Sequence, residues 1–321
     1  MFKALLCATS IVVGLSVAPT TAIGQSGQPV QLIVPYNPGG GSDLFGRMVA
    51  PSLGQALKQT VIVENRAGAG GIIGTEAVVK STPPNSMLLV SDSAVYSIIP
   101  SLYPTLPYAR KDLIPVANLA TFGNVLVVPA NSRFKTFQDV LETAHKTPST
   151  ITIGSSGTGG ITHLAAEKLM EQAKIKLVHV PYKGSGPAIS DTVGGHIDMV
   201  FTGLPSVLEL LKAGKLRALA IATPSRSPYA PDIPTVSESG VPGFSALISQ
   251  GLFAPANTPV ETVKTLNQAV QDFMREPATM ETLRKMMVEP VYQSADEYKQ
   301  WLDSESNEWA ALIKRANIKV E

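Results

Sequence analysis

Residues 30–43, VQLIVPYNPGGGSD, read as a strand, a glycine-rich turn and the start of a helix. Val30, Leu32, Ile33 and Val34 make a short apolar run of strand length, and Pro35 to Gly41 end it. Beyond the turn, Leu44, Phe45, Met48, Val49, Leu53 and Leu57 recur at three-four spacing, the period of a helix over 42–58. Residues 151–160, ITIGSSGTGG, repeat the design, and the helix that follows over 160–172 carries His163. A strand that passes into a helix through glycines belongs to an α/β fold. Its loop then lies at the C-terminal edge of a sheet, where open α/β sheets bind ligands.

Outward from these two segments, strand-length runs fall at 61–63, 87–90, 125–128, 177–180, 197–201 and 216–222, with helical patterns at 73–80, 136–145, 185–193 and 205–213. The alternation predicts mainly parallel sheets. Prolines cluster at 100–115 and 224–259, and the second cluster is too proline-rich for a helix or a central strand. The remainder is helical, at 262–275, 277–287 and 295–316. The expected arrangement is a first lobe of residues 25–121 and 251–321 with a second lobe, 122–250, inserted. The two chain crossings would form a hinge; one continuous sheet is the alternative.

The chain has 321 residues, 44% hydrophobic and 16% charged, with 26 basic and 25 acidic side chains and a net charge of +1. Near-neutrality argues against nucleic-acid partners, and the apolar fraction is too high for disorder. Residues 1–24 read as an export signal: Lys3, an apolar run over 4–17, then small residues with cleavage expected after Ala22 or Gly24. The one cysteine, Cys7, lies in that run, so no disulfide framework or cysteine zinc site is expected. No later run approaches the ~20 apolar residues of a spanning helix, and a soluble periplasmic protein is expected.

Both glycine loops place free N–H groups, small hydroxyls and a helix's positive end together, which suits an anion. Neither matches a phosphate or dinucleotide motif, so a small carboxylate is the better guest. Lys183 could add charge. Catalysis finds little support. Thr158 stands where a nucleophile elbow needs glycine, and a serine hydrolase using Ser156 and His163 is the alternative function, without an acid to complete a triad. The histidines at 145, 163, 179 and 196 form no paired metal motif. Asp43, Asp92 and Asp198 lie at element ends, as caps or as ligand contacts.

Several ordered blocks resemble one family, the extracytoplasmic solute receptors of tripartite tricarboxylate transporters, also called Bug-type receptors. They are IVPYNPGGGSD at 33–43, VENRAGAGG at 63–71, the 155–160 loop with HLAAE at 163–167, HVPYKG at 179–184, GHID at 195–198, PDIPTVSESG at 231–240 and GLFAPA at 251–256. The resemblance implies a two-lobed periplasmic binding fold of the Venus-flytrap kind, each lobe a sheet flanked by helices. It implies capture without catalysis, and no cofactor or metal. By position it assigns ligand contacts to Tyr36, Asn37, Gly40, Ser42 and Asp43 in one lobe. From the other come Ser155, Ser156, Thr158, Tyr182, Gly184, Asp198 and Thr202. Asn37 departs from a commoner second proline and could tune ligand choice. The expected ligand is a di- or tricarboxylate or an aromatic carboxylate, with Tyr36, Tyr96, Tyr182 and Phe201 as candidate cleft aromatics. The implied partners are a small and a large integral membrane subunit, and the receptor itself is expected to be monomeric. A sensor docking to a membrane kinase is the other reading.

Overall fold

In the computed structural model, residues 28–83 and 86–320 are described; the signal segment 1–24 lies outside them. The strands are β1 (Val30–Val34), β2 (Val61–Asn65), β3 (Met87–Asp92), β4 (Leu113–Pro129), β5 (Thr152–Ser155), β6 (Val178–Pro181), β7 (Met199–Gly203), β8 (Leu216–Ile221) and β9 (Leu247–Pro255). The helices are α1 (Gly41–Leu57), α2 (Ile72–Val79), α3 (Ala94–Ser97), α4 (Ile99–Leu102), α5 (Phe137–Lys146), α6 (Ile161–Ala173), α7 (Ser185–Gly194), α8 (Leu208–Lys212), α9 (Val260–Arg275), α10 (Pro277–Lys285) and α11 (Ala295–Arg315).

β1 lies between β2 and β3, all parallel, with Leu32 opposite Val63 and Leu88. β5 lies between β6 and β7, again parallel. These two parallel sets are joined by antiparallel strands. β9 pairs with β3 on one side and with β4 from Leu113 to Gly123 on the other. From Asn124 onward β4 changes partners and pairs with β7 and β8. Hydrogen bonding therefore runs unbroken along β2-β1-β3-β9-β4-β7-β5-β6, yet its two ends belong to separate halves that share β4. The parallel order expected from the strand-helix alternation holds within each half, while the joining strands are antiparallel.

Two expectations are corrected. β9 lies inside the 224–259 region whose prolines argued against a central strand, because Pro242 and Pro255 only bracket a proline-free run, 247–254. β4 is far longer than the 125–128 run, beginning inside the first proline cluster. Pro115 fits within it where the register with β9 shifts, so its missing N–H breaks no regular ladder.

One apolar cluster runs through both halves, from Leu32, Phe45 and Leu53 to Ile153, Leu164 and Phe201. Phe45 of α1 stacks on Phe122 of β4 at 6.4 Å. Burying a side chain of that size contributes about 1.5–3 kcal/mol. α11 reaches across to α6: Arg315 makes two bonds to Glu171, at 2.8 and 3.0 Å. Lys168 donates to the Ser245 carbonyl at 2.6 Å, pairs with Glu308 and lies 5.4 Å from the Trp309 ring. Among the described residues no helix is long and apolar enough to cross a membrane.

Candidate functional site

The first glycine loop leaves β1 and opens α1. Gly40 occupies the N-cap in extended backbone, and no side chain among the described residues caps the helix, so its first N–H groups stay available to a ligand. Side chains beneath the loop fix its shape. Asp43 accepts from the Gly39 N–H at 3.0 Å and from Arg47 Nε at 3.2 Å. Burial would raise the Asp43 carboxyl, but the Arg47 guanidinium and the Gly39 N–H outweigh it and hold it below its ordinary range. Asp43 is thus a brace for its own loop. Ser42 is buried, donating to Gln250 Oε1 of β9 at 2.7 Å. Tyr36 donates from its hydroxyl to Asp92 Oδ1 at 3.1 Å, and its carbonyl accepts from Asn65 Nδ2 at 3.0 Å. Burial pushes the Asp92 carboxyl up to about 6, against the Ala94 N–H and the Tyr36 hydroxyl, which favour the charged form. Burial, then the Asp92 charge, raise the Tyr36 phenol well above its ordinary value. Asn37 and Gly40 are exposed.

The second loop joins β5 to α6 and is also uncapped, with Gly160 at the N-cap. The N-terminus of α7, behind Gly184, likewise has no side-chain cap. The loops after β5 and β6 are tied together: Tyr182 N–H donates to the Ser155 carbonyl at 3.1 Å and Gly184 N–H to the Ser156 carbonyl at 3.0 Å. Ser156 Oγ lies 2.9 Å from Thr162 Oγ1, which also accepts from the Ser156 N–H. Ser155 is fully buried and shares a 2.6 Å hydrogen bond with His179 Nε2. Gly159 N–H donates to His163 Nδ1 at 3.0 Å. Thr158 is exposed at the tip. Tyr182 turns its hydroxyl to Asp191 at 2.7 Å. Thr202, at the end of β7, is fully buried, and its hydroxyl has no partner among the described residues.

Leu102 of α4 ties the two loops to one side of the molecule. α4 follows β3 off the same sheet edge as the first loop, and Leu102 packs directly against the Cα of Gly159 in the second. Asp198 lies elsewhere. It precedes β7, about 13 Å along the strand from Thr202. There it accepts from the Thr152 N–H at 2.9 Å and lies 3.6 Å from Arg133. That carboxylate ties the outer ends of β5 and β7, so the structure does not bring it to the loops. Two aromatics are also withdrawn. Tyr96 stacks on Phe253 at 6.2 Å and Phe201 on Phe244 at 6.4 Å, both in the core. Gln250, the partner of Ser42, had no signal in the sequence, being 208 residues away.

The hydrolase pair does not form. Ser156 bonds to Thr162, and His163 is occupied by a backbone N–H. The serine-histidine hydrogen bond found among the described residues, Ser155 with His179, is sealed from solvent on the serine side. Among the described residues no cluster of histidine, cysteine or carboxylate side chains could hold a metal.

Solved structures with the same architecture point one way. Periplasmic binding protein BugD superposes with a TM-score of 0.82 at 29% identity, over 91% of this chain and 99% of its own. Rpa4515 of R. palustris, solved with adipate, gives 0.85 at 29% identity over 91% and 98%. MatC from Rhodopseudomonas palustris, with bound malate, gives 0.81 at 26% identity over 89% and 98%. These are two-lobed solute-binding receptors rather than enzymes. Residues 45–318 match the tripartite tricarboxylate transporter family receptor model, and the chain, with its paired uncapped loops, belongs to that receptor family.

Proposed function

We propose that the protein captures an aliphatic dicarboxylate between its lobes in the periplasm and, as a monomer, delivers it to the small and large membrane subunits of a tripartite transporter. The observation that carries this reading is that the loops leaving β1, β5 and β6 each open a helix without a side-chain cap behind a glycine, α1 in one half and α6 and α7 in the other. A carboxylate at each end of a short chain would satisfy N–H groups from both halves, so closure and capture become one event. Neither loop contains an arginine, and Arg47 of α1 is paired with Asp43 at 2.9 Å. Contacts fall to Tyr36, Asn37, Gly40 and Ser42 on one side, and to Ser156, Thr158, Tyr182, Gly184 and Thr202 on the other; Asp43 and the buried Ser155 serve as braces. Adipate and malate in the related structures support the class, and the withdrawal of Tyr96 and Phe201 into the core weakens the aromatic option. The lobe boundaries at 121/122 and 250/251 are part of this proposal; the change of β4 partners between Gly123 and Asn124 supports the first of them.

The test is a thermal-shift panel of adipate, malate, succinate, citrate and benzoate. A ligand that binds only the folded state at about a hundred times its Kd adds about 2.7 kcal/mol of stability. At least one dicarboxylate should raise Tm by several degrees. A flat panel at millimolar concentrations would end the proposal.

A further inference from the structure

Beneath the second loop, two imidazoles stack face to face. The His163 and His179 rings lie 3.9 Å apart, 17° from parallel. His163 Nδ1 accepts from the Gly159 N–H, so that nitrogen carries no proton, and the neutral ring holds its proton on Nε2, 3.4 Å from Glu167 Oε1. His179 Nε2 bonds Ser155, whose Oγ in turn accepts from the Gly157 N–H at 3.2 Å. Three of the loop's backbone or hydroxyl groups therefore hang on one pair of rings.

We propose that His163 is a positioning residue: its neutral imidazole holds the second loop in the ligand-accepting shape, and its protonation releases Gly159 and weakens dicarboxylate binding as the periplasm acidifies. The ligand class rests on the function proposed above; the positioning role does not. A proton added at Nδ1 would point at the Gly159 N–H, two donors facing one another, and the loop would have to turn. Stacking adds to this, because two rings at this distance do not both charge. Burial, then the charge of His163, hold His179 down to about 4, so it stays neutral across the range in question.

The surrounding charges do not take over the role. On α6 itself Glu167 faces His163, while Lys168 and Glu171 are engaged by Glu308 and Arg315 of α11. Glu305 of α11, raised by burial, accepts from Trp309 Nε1 at 2.9 Å. On the β6 side, Lys183 is exposed in the turn and Asp191 of α7 is held by Tyr182. Asp198 and Arg133 sit at the far ends of β5 and β7. At the chain's end, Lys319 precedes Val320, whose side chain packs near Gly159. In the other half Asp92 also titrates near neutrality, and the test must separate it.

Two measurements on the full protein do so. Without ligand, the Gly159 amide resonance is followed by NMR from about pH 7.5 to about pH 5. With adipate and malate as probes, affinity is measured by calorimetry over the same range. The Gly159 amide should titrate, and affinity should fall about tenfold at the acid end. His163→Asn places Oδ1 where Nδ1 accepted and cannot titrate; it should bind at neutral pH and keep that affinity in acid. His163→Leu should bind weakly at both ends, and Asp92→Asn should retain the acid loss. An acid loss in His163→Asn equal to that of the wild type, or a Gly159 amide that does not respond, overturns the proposal. If neither probe binds at any pH, the dicarboxylate reading fails, and the ligand-free Gly159 titration alone decides the positioning role.

Discussion

The two glycine loops solve one problem with opposite chemistry. Each leaves a helix N-terminus open to an anion, yet the first is braced by carboxylates and the second by neutral imidazoles and hydroxyls. Asp43 and Asp92 hold the first through Gly39, Arg47 and Tyr36. His163, His179 and Thr162 hold the second through Gly159, Ser155 and Ser156. On the proposed reading, an anion site need not carry cations. It needs N–H groups held in place, and the two sets of braces differ in how they answer to packing and to pH.

The comparison breaks most visibly at glycine. Gly159 has φ +78° and lies against Leu102, whereas Gly39 has φ +88° with open space around it. Gly159→Ala should cost about 3 kcal/mol in denaturant unfolding, from strain and collision together. Gly39→Ala should cost only the backbone term, about 1 kcal/mol. Equal costs would mean that the loops are equally free.

Acid sharpens the contrast. His179 has a folded pKa depressed to about 4, so its contribution is intact above the ordinary imidazole value and is lost as pH falls from about 6.5 to about 4. With allowance for partial exposure the loss is about 2 kcal/mol, and His179→Gln should flatten that part of the stability profile. A profile unchanged by the substitution would contradict the assignment.

In the first loop, Asp43→Asn loses the charge that holds Arg47 and Gly39. The expected cost is about 1.5 kcal/mol, seen as a lower Tm and weaker adipate binding. Asp92 carries the smallest effect and the opposite sign. Its folded pKa is raised, so its contribution is fully present below about 3.8 and is lost as pH rises through about 6. Asp92→Asn should therefore leave Tm unchanged or raise it by about 1 kcal/mol equivalent at neutral pH. A clear loss of stability there would show that the charged form is favoured after all.

Much of the scaffold was legible because it is local. The β1 turn, the β5 turn and the helices after them are written in apolar spacing and glycine, and the structure forms them within a residue or two of the expected bounds. What was hidden depends on pairing across the chain. β9 lay in a proline-rich window, and only its partners β3 and β4 make it central. Asp198 looked equivalent to Asp43, both being acids at element ends, but one precedes a strand at the outer edge and the other lies in the first turn of a helix at the loop edge. Ser155 and His179 are 24 residues apart, and their meeting follows from the parallel register that sets Ile153 opposite His179. A sequence announces two strands; it does not announce their register.

The central claim is that both uncapped loops hold one ligand. Its most direct test is a backbone amide NMR titration with adipate, repeated with malate. The amides of Gly41 and Ser42 and those of Ile161 and Thr162 should move together, saturating at the same ligand concentration. Shifts confined to one loop, or centred away from both, would contradict it.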